Sequence, residues 1–456
     1  MNSHQHHALV TAQPRLSAAP PPSTLPQASN LAARFAQLRA QTEALARPLS
    51  AEDCQAQSMA DASPVKWHLA HVTWFFEVFI LERFEPGFQP YNADFRVLFN
   101  SYYNGVGDKH PRPQRGLLTR PSLAEVMAWR AAVDLRVAKL LASPSSPEML
   151  TLVELGLHHE QQHQELLLTD VKHLLSQNPA QPVYAPAWPL ASVAPSRAAW
   201  LGFDGGLQSL GHHGGGFHFD NEGPRHPHFL RPYALLNRLV THGEWLAFVN
   251  GGGYQNPRWW LAAGWDWVQA NRITAPLYWR READRGDAAA WSSFTLHGRV
   301  PLDDHTPITH ISLYEADAYA RWLGETCADF KGARLPTEFE WEAAVAPMAD
   351  TALARGNFLE SRALHPMPVA RAQAGLLQAL GDVWEWTQSS YSGYPGYQPW
   401  AGAVGEYNGK FMANQYVLRG GSCATPAAHI RATYRNFFPA EARWQFTGLR
   451  LARDEV

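Results

Sequence analysis

The sequence predicts two domains of different class, an α-helical bundle followed by an α+β domain, and three observations predict it. Only five of the 33 glycines precede residue 196 (Gly87, Gly105, Gly107, Gly116 and Gly156). Fourteen of the 18 tryptophans follow residue 199. Few glycines suit long helices, whereas a Gly- and Trp-rich chain suits short strands and ordered turns. Prolines at 179, 182, 186, 189 and 195 lie between the halves, and that spacing admits neither a helix nor a central strand. The expected organisation is a disordered leader over 1–28, rich in Ala, Pro and His, and a four-helix bundle over 29–176. A semi-rigid linker over 177–196 and an α+β domain over 197–456 follow.

Four helical segments build the first domain. Leu31, Phe35, Leu38, Thr42 and Leu45 form one amphipathic stripe. Ser63-Pro64 reads as an N-cap with Pro at the first helical position, opening a helix to about Phe84. Ser122-Leu-Ala-Glu125 is a capping box for a helix to about Leu141. Ser146-Pro147-Glu148 opens a long helix to about Leu175. In the second domain, helical periodicity marks 241–249, 312–324 and 337–345. Short apolar runs at 200–203, 217–219, 416–419 and 449–452 read as strands.

Composition excludes several classes. Charged residues are 17% and apolar residues 46% of the chain, which fills a large core and rules out global disorder. With 38 Lys+Arg against 41 Asp+Glu, the net charge of -3 gives no footprint for nucleic acid. No apolar run approaches the roughly 18 residues of a membrane span, so no membrane partner is expected. Three distant cysteines, Cys54, Cys327 and Cys423, give neither a disulfide scaffold nor a CxxC metal site, and fit a cytoplasmic location. Cys327 and Cys423 read as small core residues.

Histidine carries the chemistry. His159 and His163 are four apart on the fourth helix and share one face, so both imidazoles can reach one metal. His159-Glu160-x-x-His163 also matches the HExxH pattern of zinc hydrolases. On the second helix His71 shares a face with Trp67, Trp74, Phe75 and Val78, where a buried imidazole needs a partner. His68 lies nearer the other side and reads as a supporting or surface residue. Three neutral imidazoles leave open positions on zinc or on ferrous iron, and spacing does not choose between them.

At this point several motifs together resemble one family, the ergothioneine-biosynthesis sulfoxide synthases (EgtB). The resemblance rests on Trp67-His68-Leu-Ala-His71, Asn100-Ser-Tyr102-Tyr103-Asn104, His110-Pro-Arg112-Pro-Gln-Arg115-Gly116 and His159-Glu-Gln-Gln-His163-Gln-Glu165. In the second half it rests on Phe219-Asp-Asn-Glu222, Arg334-Leu-Pro-Thr-Glu338, Gly381-Asp-Val-Trp384-Glu-Trp386-Thr387, Leu418-Arg-Gly-Gly421-Ser422 and Arg435-Asn436-Phe437-Phe438. It implies a DinB-like four-helix bundle joined to a formylglycine-generating-enzyme-like, C-type-lectin-like domain, with the active site between them.

The resemblance also implies a reaction. Members hold non-haem Fe(II) through three histidines, which map to His71, His159 and His163. They use O2 to join a cysteine-type thiol to the imidazole C2 of hercynine, the trimethylammonium betaine of histidine, giving a sulfoxide. Asn436-Phe437 matches the pair that binds the betaine, and Gln162 a glutamine on the same substrate. Arg112 and Arg115 match the clamp on the thiol substrate's carboxylate, a role suited to guanidinium. Tyr102 and Tyr103 are the candidate proton donors, with Tyr407 a further one. Phe438 stands where one branch has an acidic residue that holds an amine, so it favours a donor other than γ-glutamylcysteine. A sister group, the selenoneine synthases (SenA), keeps the architecture and joins a selenosugar to hercynine.

Overall fold

The computed structural model describes residues 28–188, 197–282, 290–369 and 375–455. Residues 1–27 of the expected leader and 189–196 of the expected linker lie outside them.

Four long helices form the bundle: α1 (Ala28–Ala46), α2 (Val65–Phe76), α3 (Leu123–Leu141) and α4 (Pro147–Ser176). The α1 stripe buries Leu31, Phe35, Leu38 and Thr42, while Leu45 is half-buried. α2 continues through a π-helical turn, Glu77–Leu81, into a last turn at Glu82–Phe84. Ser63 is not its cap. Pro64 holds that position and accepts the first helical hydrogen bond, from His68 N, through its carbonyl. The Ser63 hydroxyl instead accepts from Arg115 and its N–H donates to Asp170, so a tertiary partner outcompetes the local cap. Ser122 and Ser146 do cap α3 and α4, each accepting from the N–H three residues on.

A buried ion network ties the four helices together. Glu160 on α4 accepts from Arg39 Nη1 at 2.9 Å and Thr42 Oγ1 at 2.7 Å on α1, and from Arg130 on α3. Arg39 reaches on to Asp134 of α3 at 2.7 Å and to Thr73 of α2 at 3.0 Å. Burial pushes the Glu160 carboxyl up, but Arg130 and Arg39 more than offset it and hold it at about 2.

The second domain packs helices against four small sheets. Its longer helices are α5 (His242–Asn250), α6 (Ala262–Asn271), α7 (Leu313–Thr326) and α8 (Glu338–Val345). Capping boxes open α5, α7 and α8, at Thr241/Glu244, Ser312/Glu315 and Thr337/Glu340. Cys327 follows the end of α7, half-buried, and Cys423 is buried.

Strands β1 (Trp200–Phe203), β2 (Gly206–Leu210), β3 (His226–Leu230) and β4 (Tyr233–Leu236) come first. Then come β5 (Trp279–Arg281), β6 (Trp291–Thr295), β7 (Gly298–Pro301) and β8 (Trp384–Ser390). The last are β9 (Tyr416–Arg419), β10 (Asn436–Phe438), β11 (Thr447–Gly448) and β12 (Ala452–Asp454). The sheet that carries the site runs β10-β9-β8-β11. The run 217–219 is not a strand. No neighbour pairs with it, and Phe217 stacks instead on His158 of the bundle at 3.9 Å. The run expected at 449–452 forms a strand only from Ala452.

The domains join along α4. Glu165 accepts from Trp384 Nε1 at 2.8 Å, Thr425 Oγ1 at 2.6 Å and the Ser422 hydroxyl. Lys172 is buried, with Nζ 2.6 Å from His310 Nε2 and between the rings of Tyr278 and Phe446. Among the described residues no carboxylate pairs with it. Burial lowers its amine to about 7, only partly opposed by Cys423.

Two outcomes follow. Glu160→Gln leaves two buried guanidinium groups undercompensated, so urea unfolding should show a loss of about 3–5 kcal/mol. For Lys172, the unfolded chain holds the extra proton between about pH 7 and the ordinary 10.5, so native stability rises with pH in that window. The stability of the natural protein relative to Lys172→Met should therefore increase from pH 7 to 9, and a flat or falling difference contradicts the buried neutral amine.

Candidate active site

A cleft of about 720 Å³ opens between the domains, and its lining includes every residue singled out from the sequence as metal-binding, substrate-binding or catalytic. α2 supplies His71 and α4 supplies His159 and His163. One ligand atom from each lies within 4.8 Å of the other two. Gly156 lets the two helices approach, since a Cβ there would meet Phe76 at 2.7 Å and Phe75 at 2.9 Å.

The donor set fits a metal. His71 Nδ1 donates to the Phe99 carbonyl at 2.6 Å, which leaves the lone pair on Nε2, whose one protein contact is a long one of 3.4 Å to the Ser101 hydroxyl. His159 Nδ1 is buried without a hydrogen-bond partner. Burial holds all three imidazoles below their ordinary value, with neighbouring rings adding to the effect at His71 and His163. His159 falls to about 4. Three neutral rings whose ligand atoms converge, with no carboxylate among them, suit a borderline divalent ion and leave positions open.

His68 is not a surface residue. It is buried, with Nδ1 2.9 Å from His163 Nδ1 and Nε2 3.0 Å from Asp170 Oδ2. Glu160 belongs to the ion network on the far side of α4, so HExxH here has no general base at the metal. That removes the structural basis for a zinc hydrolase, which needs the Glu beside the bound water.

The 3-10 turn Arg112–Leu117 brings both arginines to the cleft. Arg115 lies over Trp67, 3.3 Å from the ring centroid, and donates to Ser63 Oγ at 2.9 Å. Burial lowers it to about 9, partly offset by Tyr102. Arg112 donates to the Tyr102 hydroxyl at 2.9 Å. The Nε of each arginine is buried without a protein partner, so the pair offers unspent donors to an anion.

Tyr103 is buried, stacked on Trp74 with centroids 5.5 Å apart. Burial raises its phenol well above the ordinary value, so it keeps its proton at neutral pH. Tyr407 is raised for the same reason. From β10, Phe437 stacks on Tyr391 at 4.1 Å and faces Phe411 at 5.5 Å and Tyr407 at 6.3 Å. Tyr102 meets Phe411 at 4.9 Å. These rings form an aromatic wall with the Asn436 amide at its edge, whose Oδ1 accepts from Phe437 N. Gln162, one turn from His159, donates to the Tyr434 hydroxyl at 2.7 Å. Phe438 meets Trp444 edge to face at 5.9 Å.

Sequence reasoning missed Asp170 and Trp444. Asp170 had a signal, since it lies seven residues after His163 and so on the same helix face. Trp444 had none, because only the fold brings it to α4.

Comparison with known proteins agrees with this architecture. Residues 34–167 match the DinB superfamily, and 197–455 match the sulfatase-modifying factor enzyme 1-like domain. The hercynine oxygenase of Mycobacterium tuberculosis is 31% identical over 450 residues, covering 93% of this chain and 98% of that protein. The hercynine oxygenase of Mycolicibacterium thermoresistibile is 31% identical over 422 residues, covering 86% and 87%. Ergothioneine biosynthesis protein 1 of Schizosaccharomyces pombe is 26% identical over 253 residues, covering 52% of this chain and 28% of that one. Among the described residues no helix is long and apolar enough to cross a membrane.

The triad makes a direct prediction. His71→Ala, His159→Ala and His163→Ala should each weaken Co(II) or Fe(II) binding by at least about 100-fold, more than loss of an outer partner costs. His110→Ala, a histidine not among the cleft's lining residues, should leave metal titration unchanged.

Proposed function

The chain belongs to the hercynine oxygenase family, and on that premise we propose that it is an Fe(II)- and O2-dependent enzyme that forms a carbon–chalcogen bond at the imidazole C2 of hercynine. The observation that carries this reading is the single cleft shared by the three-histidine cluster, the aromatic wall and the arginine pair. His71, His159 and His163 would hold the iron, which, bound by three neutral imidazoles, supplies open positions for O2 and a soft chalcogen ligand.

The residues then divide the work. A trimethylammonium group has no hydrogen to donate and is held by ring faces, here Phe437 with Tyr407 and Phe411 beside it. The Asn436 amide and Gln162 flank that end, and orient the imidazole toward the histidine cluster. Arg112, bonded to the Tyr102 hydroxyl, and Arg115 hold an anionic or polar co-substrate. Tyr102 and Tyr103 line the same cleft as phenols, and Tyr103 keeps its proton at neutral pH, which makes it the candidate proton donor. In the sulfoxide reaction the hydrogens of C2–H and of the thiol leave with one oxygen atom as water, and the other oxygen ends on sulfur. The described cysteines are unpaired, which supports a cytoplasmic site of action.

One observation favours a second reading. At Phe438, where one branch of the family has an acidic residue, the cleft presents a phenyl ring against Trp444, with Trp267 and Glu441 also in the lining. Aromatic faces suit the C–H face of a sugar, so a selenosugar donor and a C–Se product, as in selenoneine synthases, is the alternative to a cysteine-type thiol.

Purified protein with Fe(II), O2, hercynine and competing donors decides between them by mass spectrometry. A sulfoxide from cysteine supports the first reading, a product from the selenosugar alone supports the second, and no hercynine turnover with any donor refutes both. Arg112→Ala should raise the donor KM about 10–100-fold, the value of a charge-assisted hydrogen bond, while hercynine KM holds. Asn436→Ala should do the reverse.

A further inference from the structure

His68 and Asp170 have no part in the proposed reaction, yet both are buried beside the histidine cluster. The Asp170 carboxylate has three neighbours that can donate to it. Ser63 N reaches Oδ2 at 2.8 Å, Trp444 Nε1 reaches Oδ1 at 3.2 Å, and His68 Nε2 lies 3.0 Å from Oδ2. An ionised carboxylate only accepts, so the hydrogen in its contact with His68 sits on His68 Nε2. With that single hydrogen on Nε2, the His68 lone pair lies on Nδ1, 2.9 Å from His163 Nδ1. In this arrangement the hydrogen of that contact comes from His163 Nδ1, and the His163 lone pair is left on Nε2.

We propose that His68 and Asp170 are positioning residues that fix His163 in the tautomer and ring orientation in which Nε2 serves as a metal ligand. The inference rests on the reading of the triad as a metal centre. The Phe99 carbonyl does the same for His71. The two supports cross between helices. α2 carries the ligand His71 and, three residues earlier, the residue that braces the α4 ligand. α4 carries His163 and, seven residues later, the carboxylate that braces His68. Trp444 brings the second domain into the chain, so the cleft wall beside Phe438 is hydrogen-bonded to the support of a ligand.

The test uses the full-length metal-free protein, its isotope-labelled histidine NMR spectrum, and Co(II) titration. The natural protein should show His163 protonated at Nδ1 and bare at Nε2, and a proton on Nε2 overturns the proposal. His68→Phe keeps a ring but removes both nitrogens. It should mix the His163 tautomers and weaken Co(II) binding by about 10–100-fold. His68→Gln, whose side-chain carbonyl can accept from His163 Nδ1, should recover most of that loss. Unchanged tautomer and Co(II) affinity within twofold in His68→Phe would show His68 to be a packing residue only. If His68→Phe does not fold, the tautomer of the natural protein and the affinity of His68→Gln still decide. None of these readouts needs hercynine, O2 or a donor. A protein that meets them but turns nothing over refutes the proposed reaction and leaves the positioning pair standing.

Discussion

The buried carboxylate of Glu160 is the interaction on which the rest is arranged. It is held by groups from two other helices, and through Arg39 the network reaches the fourth. An ionised group without water demands full satisfaction, and few rotations of α4 supply it. Once Glu160 faces Arg39 and Arg130, the residue before it, His159, must point away from them, toward α2. The histidine cluster is thus placed by an ion network with which it shares no atom.

α4 extends this logic around its whole circumference. One face carries Glu160 and Gln164, bonded into α1. A second carries His159, His163 and Asp170, turned to the cleft. The third carries His158, Gln162, Glu165 and Lys172, each bonded to a group of the second domain. This explains a helix that is polar in sequence yet buried over most of its length. Its amphipathicity is not apolar against water but three polar surfaces against three sets of partners. The cleft above it is lined along the same division, with arginines supplied by the bundle and aromatic rings largely by β10 and the loops beside it.

Much of this was legible in the sequence where the determinant is local. Ser122, Ser146, Ser312 and Thr337 mark helix starts because their hydroxyls meet N–H groups three residues away. His159 and His163 announced themselves because four residues make one turn. Ser63 misled because its N–H and hydroxyl are taken by Asp170 and Arg115, neither of which is nearby in sequence. The run 217–219 misled because alternating aromatic residues describe a loop packed on a helix as well as a strand. α6 and the strands β2–β8, β10 and β11 were not anticipated, since their packing depends on the assembled domain. Glu160 was readable as a catalytic base by motif alone, and only the positions of Arg39 and Arg130 show what it pairs with.

The contacts of Glu165 bear on how such a chain can change over generations. Its carboxylate is satisfied by Ser422 and Thr425, 257 and 260 residues further along, and by Trp384. Neither domain can lose its side of that arrangement alone without leaving a buried charge or buried hydroxyls bare. A substitution of Glu165 in the helix therefore calls for answering substitutions at its partners in the second domain. Exchange of either domain for a distant counterpart would carry the cost of this junction before any question of substrate arises.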